Sequence, residues 1–382
     1  MENQNDAEID PGYLADELDD VDLGEEEGDG EKFYDNSHLV FSVHEGSVFV
    51  VNVDNNSGKY VVSGGEDDKA YVWEIESGEI ILECTGHKDS VTCAEFNADS
   101  TLVATGDMSG IIKVWKIETK EEVFQFETSD LEWLSWHPVA PVLMAGAQDG
   151  NVWLWKIPSG GNKLFPGPGC ACNCGTVLPD GKKAVFGYSD GSIRVYDLKS
   201  EECLHAISKG RDAHRDGLNQ VTCDKDGQMM FSASVDGSCK IINPKTGKVS
   251  MTHKCDNIAD LEKSVEYVAF SQRFHILAIA SLNAILYLLD TRSGVVRNKC
   301  QHRDGITRVL WNSDETQLVT SCLDGVTRIW DARSGNLIQT CVGHSDQIFD
   351  IALTKDDKWL ISASSDGTVR VYPFSDENAV ES

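Results

Sequence analysis

Three features of the sequence predict an all-β fold, a single closed β-propeller of eight blades. The chain repeats itself at a period near forty residues. Each period holds three short apolar runs of strand length. A tight turn, often Asp-Gly, precedes the third run of each period. The stretch 301–336, QHRDGITRVLWNSDETQLVTSCLDGVTRIWDARSGN, is the clearest copy. The next, GHSDQIFDIALTKDDKWLISASSDGTVRVYPF, runs from Gly343 to Phe374.

The third strand of each period can be marked by the position matching Trp330. The markers are Trp73, Trp115, Trp155, Tyr196, Ile242, Leu289, Trp330 and Tyr372, spaced by 40 to 47 residues. Eight markers predict eight blades. The copies ending at Ile242 and Leu289 are degenerate, so seven blades with one irregular insertion is the alternative. The last copy stops after its third strand, VRVYPF, and lacks a fourth. The run His38 to Val43 has no blade of its own and is expected to supply that strand, because an unclosed ring leaves bare strand edges.

Six residues before each marker stands Asp67, Ser109, Asp149, Asp190, Asp236, Asn283, Asp324 or Asp366. About 28 residues before five of the markers stands His44, His87, His214, His302 or His344. This Gly-His to Trp-Asp pattern resembles the WD repeat. The resemblance implies a buried chain from turn Asp to His to a strand hydroxyl to the marker Trp. In blade 7 it is expected to run through Asp324, His302, Ser321 and Trp330. His87 in blade 2, and His344 with Asp366 in blade 8, are the matching members elsewhere. Each buried bond is worth about 1 kcal/mol net. Blades 3, 4 and 6 lack the His and are expected to be locally weaker.

Composition narrows the function. The formal charge is −30 in 382 residues. Such a field repels nucleic acid and attracts basic partners. Residues 1–31 contain 14 of the 63 acids and no Lys or Arg, leaving 49 acids against 33 bases for the rest. Residues 1–32 are therefore read as a disordered acidic tail, residues 33–374 as the propeller and 375–382 as a short tail. No secretory signal and no run long enough to span a bilayer is seen. Twelve cysteines, including Cys93, Cys223, Cys239 and Cys322 within strand runs, suit a reducing compartment. A cytoplasmic monomer without cofactor or membrane insertion is expected, with nuclear or membrane-proximal locations left open.

Recurring Asp, His and Ser invite a hydrolase reading, but an enzyme needs one triad, not a trio repeated around a ring. No Gly-x-Ser-x-Gly elbow or phosphate-cradling loop is present, so no catalytic residue is assigned. Cys170, Cys172 and Cys174 alternate, which would put three sulfurs on one strand face. A structural zinc site wants four ligands at wider spacing, so no metal is assigned.

The binding surface is read from three positions per blade on one face: the start of the first strand, the residue two later, and the residue before the turn Asp. This gives Ser47, Phe49 and Glu66 in blade 1, Ser90, Thr92 and Met108 in blade 2, and Asp130, Glu132 and Gln148 in blade 3. Blade 6 gives Ser264, Glu266 and Leu282, and blade 8 gives Gln347, Phe349 and Ser365. None of these is Lys or Arg. With Asp67 and other flanking acids (Glu45, Asp68, Asp89, Asp260, Glu262, Asp304 and Asp346) they form a face suited to an Arg- or Lys-rich segment. Carboxylates pair with guanidinium groups, and rings accept cation–π contacts.

The runs SGGEDDKAYVWEIESGE, TGHKDSVTCAEFNADSTLVATGDMSGIIKVW, DLEWLSWHPVAPVLMAGAQDGNVWLWKIP and VLPDGKKAVFGYSDGSIRVYDLK resemble the angio-associated migratory cell protein family, over most of His44 to Tyr372. That resemblance implies two roles. Animal members are associated with cell migration and angiogenesis, which implies a signalling scaffold. A fungal relative is an eight-bladed dedicated chaperone for the basic amino-terminal segment of a large-subunit ribosomal protein. The chaperone role, in ribosome biogenesis, is the leading expectation, because it agrees with the acidic face.

Overall fold

Among the described residues, thirty-two strands of three to seven residues arise because every repeat holds short runs rich in Val, Ile, Leu and aromatic side chains, each ended by a turn. The computed structural model describes residues 34–208, 210, 212–259 and 261–374. The acidic tail assigned to 1–32, the C-terminal tail assigned to 375–382, and Asp260 lie outside the described residues. The strands form eight antiparallel four-stranded sheets, so the chain has eight blades and not seven. Blade 1 comprises Val48–Val53, Tyr60–Gly65, Ala70–Glu74 and Ile80–Cys84. The first strands of blades 2 to 8 are Val91–Phe96, Leu131–Trp136, Cys172–Val177, Leu218–Cys223, Val265–Ser271, Ile306–Trp311 and Ile348–Leu353.

The ring closes as expected. Blade 8 takes its outer strand from Leu39–Phe41, which pairs antiparallel with Val369–Pro373 in the register Leu39↔Val371 and Phe41↔Val369. Several contacts fasten it. Asn36 Nδ2 donates to the Thr340 carbonyl at 3.0 Å, and Asn36 Oδ1 accepts from the Val342 N–H at 2.8 Å. Asp35 forms an ion pair with Arg370. Phe41 stacks on Trp73 at 4.5 Å, so the closing strand joins blade 8 to blade 1.

The core is a ring of eight apolar clusters, one at each blade–blade boundary. Phe41, Val48, Trp73, Ile361 and Val371 fill the seam between blades 8 and 1. Val62, Val72, Val91 and Phe96 fill that between blades 1 and 2. Removing a large apolar side chain from water contributes about 1.5–3 kcal/mol, and each seam repeats that gain. Close approach has its own requirements. Trp133 lies flat between blades 3 and 4 because Gly146 and Gly175 face it. A Cβ at Gly146 would stand 2.0 Å from Trp133 Nε1, and one at Gly175 would stand 2.2 Å from its Cζ2.

The His chains form with three corrections. In blade 1, His44 joins Asp67 at 3.0 Å and Ser63 at 2.9 Å, and Trp73 Nε1 donates to Ser63 Oγ at 3.2 Å. In blade 2, His87 pairs with Asp107 at 3.1 Å, and Thr105 links His87 to Trp115. The turn acid is thus Asp107, and Ser109 merely donates to it at 2.7 Å. Blade 8 joins His344 to Asp366 at 2.9 Å and to Ser362 at 2.7 Å. In blade 7 the hydroxyl is Thr320, not Ser321: His302 Nε2 and Trp330 Nε1 meet Thr320 Oγ1 at 2.8 and 2.9 Å. Strand parity explains this, since Ser321 points to the opposite sheet face and meets Thr307 Oγ1 at 2.7 Å. Nor does Asp324 reach His302. Arg328 takes its carboxylate at 2.6 Å, and His302 Nδ1 turns to the Cys300 carbonyl at 3.2 Å.

Blade 3 shows what loss of the His chain leaves. Ala145 occupies the position of Ser63 and Thr105, and the buried indole N–H of Trp155 has no partner among the described residues. Phe124 and Phe126 pack against Trp155, and Trp153 stacks parallel to it at 6.1 Å.

Candidate protein-binding face

The positions read as a binding face are assembled by one repeated backbone device. The N–H of the pre-turn residue donates to the carbonyl that starts the first strand: Glu66 to Ser47, Met108 to Ser90, Gln148 to Asp130, Leu282 to Ser264 and Ser365 to Gln347, at 2.8–3.0 Å. Blades 4, 5 and 7 repeat it through Ser189 to Ala171, Val235 to Gly217 and Leu323 to Gly305. All eight pairs therefore lie on the same face of the ring.

The second of the three positions, two residues beyond the start, is a β-bulge in every blade. Pairing with the second strand skips Phe49, Thr92, Glu132, Asn173, Asn219, Glu266, Thr307 and Phe349. A bulge leaves its extra residue out of the ladder and re-aims its side chain. The sequence reading covered five blades and missed Asn173, Asn219 and Thr307. They stand 17 residues before the turn residue, as in blades 2, 3, 6 and 8, and that spacing would have found them. The bulge also overturns the cysteine alternation. Cys172 and Cys174 flank bulged Asn173 and fall into different seams, between blades 3 and 4 and between blades 4 and 5. Among the described residues no three His, Cys, Asp or Glu side chains gather at metal-binding distance.

The predicted residues do not form one cluster. Phe49 and Phe349 come together across the closing seam, with ring centroids 5.7 Å apart. Exposed Met108 follows on blade 2, and exposed Asp130 and Glu132 on blade 3. Glu66 is exposed on blade 1, where its Oε2 accepts the Ser47 N–H at 3.0 Å. Glu266, on blade 6, stands apart and is half-buried, with Asn219 Nδ2 donating to it at 3.2 Å. Asp67 is a correction. Its carboxylate turns inward to His44 and the Glu45 N–H, leaving 7% of the side chain exposed, so it serves the scaffold rather than the surface.

Charge is distributed unevenly around this face. Exposed Asp346, Glu45, Glu66, Asp89, Asp130, Glu132 and Asp149 make blades 8, 1, 2 and 3 acidic. The lysines described here are paired, Lys88 with Glu127 at 3.3 Å and Lys69 with Glu83 at 2.8 Å. On blades 5 to 7 exposed Arg215, Lys263 and Arg303 alternate with exposed Asp216, Glu262 and Asp304, so the charges there nearly balance. Partial burial, and then the neighbouring Asp130 carboxylate, raise the Glu132 pKa. Burial and then Glu262 raise that of Glu266. Carboxyls crowded in this way are relieved by an approaching cation.

Comparison with known proteins agrees with this architecture. The WD domain, G-beta repeat family matches residues 36–74, 78–116, 202–243, 295–331 and 335–372. Those five stretches are the ones holding His44, His87, His214, His302 and His344. The chain is 43% identical over 390 residues to the Angio-associated migratory cell protein of Homo sapiens, covering 95% of this chain and 90% of that protein. It is 25% identical over 380 residues to the Ribosome assembly protein SQT1 of Saccharomyces cerevisiae, covering 88% of this chain and 86% of that one. The crystal structure of Chaetomium thermophilum Sqt1 bound to the N-terminus of the ribosomal protein L10 matches with a TM-score of 0.81 at 22% identity, over 89% of this chain and 100% of that one.

Proposed function

The chain belongs to the angio-associated migratory cell protein family of WD-repeat propellers, and from that premise we propose that it is a non-enzymatic chaperone whose acidic face captures a basic segment of a large-subunit ribosomal protein. The observation carrying this reading is the acidic arc over blades 8, 1, 2 and 3, with the Phe49–Phe349 pair at the seam between blades 8 and 1. Rings and carboxylates answer the two halves of an Arg or Lys side chain: the apolar stem packs on Phe49, Phe349 and Met108, and the charged head meets Glu66, Asp130 and Glu132. Sqt1, the fungal relative, was crystallised with the N-terminus of ribosomal protein L10, and it supports a client of the same class here. The work is done in the cytoplasm, before the client meets RNA. Long-range attraction to a strongly negative propeller speeds encounter and makes capture salt-sensitive.

Binding of a basic ribosomal-protein N-terminal peptide, followed by fluorescence anisotropy, tests the reading. Triple reversal by Glu66→Lys, Asp130→Lys and Glu132→Lys removes about 1 kcal/mol per contact, so affinity falls roughly 100-fold at low salt. Unchanged affinity would remove this face as the site. A second reading, a signalling scaffold in cell migration, is favoured by the name of the human relative. Salt-resistant capture of membrane or cytoskeletal regulators, with no ribosomal protein, would favour it.

A further inference from the structure

The charge of the chain is −30, yet four cations converge on one cavity of about 570 Å³ in blade 5: Arg215, Lys240, Lys254 and Lys263. Lys240 is only 4% exposed. Its Nζ donates to Thr252 Oγ1 at 3.3 Å. Among the described residues, none of the four forms an ion pair with a carboxylate. The acids acting on Lys240 are Asp236 and Asp212. Asp236 is already engaged by His214, by Ser238 Oγ and by the Arg215 N–H at 2.9 Å. Asp236 also lines the cavity, but a buried ammonium without a direct ion pair is costly, and a ligand anion would supply one.

We infer that this cavity is a binding site for a multiply phosphorylated small molecule, such as an inositol polyphosphate, free or as a lipid headgroup. Buried Lys240 would hold one phosphate from the floor. Arg215, exposed on one rim, offers a planar fork for a second. Lys254 and Lys263 add point charges from the strand and loop opposite. The volume suits a molecule of this size. The negative field of the rest of the chain opposes an extended nucleic-acid backbone more than a compact ligand enclosed by these four groups. Burial lowers the Lys240 pKa, and Asp236 and Asp212 oppose that; a bound phosphate would act in the same direction as those carboxylates. This inference does not depend on the peptide-binding reading, since it concerns the opposite charge on a different blade.

Calorimetric titration of the full chain with inositol hexakisphosphate at physiological salt is the test. The expected result is saturable binding of one molecule per chain. Lys240→Met should weaken it at least tenfold, the change expected when one charge-assisted contact is lost, without lowering the melting temperature. The double variant Lys254→Ser/Lys263→Ser changes only exposed residues, and it should show the same loss even if Lys240→Met fails to fold. Sedimentation with phosphatidylcholine vesicles, with and without phosphatidylinositol bisphosphate, separates the sources. Lysine-dependent capture by the phosphorylated vesicles assigns a headgroup, and binding of the soluble probe alone assigns a free polyphosphate. No saturable binding in either format, or binding unchanged in both variants, overturns the inference.

Discussion

Closure of the ring rests on a three-residue strand, and Phe41 is the side chain by which it holds. Phe41 is 3% exposed and sits in the cluster formed by Val48, Trp73, Ile361 and Val371. Its ring stacks on Trp73 at an interplanar angle of 6° and meets Tyr71 edge-on at 6.1 Å. Phe41→Ala removes this packing at the one seam the chain ends must close. Truncating a core Phe costs about 3–5 kcal/mol. If that cost falls on opening of blade 8, amide exchange along Val369–Pro373 should quicken by roughly 150- to 5,000-fold, at a factor of ten per ~1.4 kcal/mol. Hydrogen–deuterium exchange read peptide by peptide measures this, with Val152–Lys156 on blade 3 as the internal reference. Equal acceleration at both strands would mean that Phe41 supports global stability only, and the closing-strand argument would fail. Deleting residues 33–43 should likewise lower the melting temperature, whereas deleting 1–31 should not.

Four further outcomes are expected. Thr320→Val leaves His302 Nε2 and Trp330 Nε1 buried without their shared hydroxyl, costing about 2–4 kcal/mol in urea denaturation, against about 1 kcal/mol for Ser321→Ala; the reverse order would restore Ser321 to the chain. Burial, and then the Arg328 charge, depress His302 to about 3. The native state therefore keeps it neutral while the unfolded chain protonates it below about 6.5. Its stabilisation is present above that pH and declines as pH falls towards 3, by about 2 kcal/mol at pH 5. His302→Gln should flatten this part of the urea-midpoint profile, and an unaltered slope between pH 7 and 5 would assign the effect elsewhere. Ala145→Ser offers the orphaned Trp155 N–H an acceptor and should raise stability by roughly 1 kcal/mol; a lower melting temperature would show that the pocket cannot admit the hydroxyl. Phe49→Ala with Phe349→Ala should weaken basic-peptide binding about tenfold or more, as expected of central aromatic anchors, while a circular dichroism melt stays close to that of the parent.

The propeller was legible in the sequence. Period and turn residues act over a few positions each, so a propeller of eight or seven blades and the borrowed strand from His38 to Val43 were legible without coordinates, and the pairing of strands settled the count at eight. The reading of blades 3, 4 and 6 as lacking the His was legible for the same reason. Tertiary structure decided which side chains meet. Thr320 rather than Ser321 completes the blade 7 chain, because the register between second and third strands selects one parity. Asp324 is lost to Arg328, two residues before the marker Trp330, a competition that spacing alone does not rank. Asp67 turns inward because His44 claims it. Bulges at the first strands reverse the local alternation, separating Cys172 from Cys174 and turning Glu132 and Phe349 outward. The cation-lined cavity in blade 5 joins Arg215, Lys240, Lys254 and Lys263 from separate segments of the repeat, so no window of sequence contains it. Local backbone preference is written within a few residues, whereas a site is defined by groups that only packing brings within hydrogen-bonding distance.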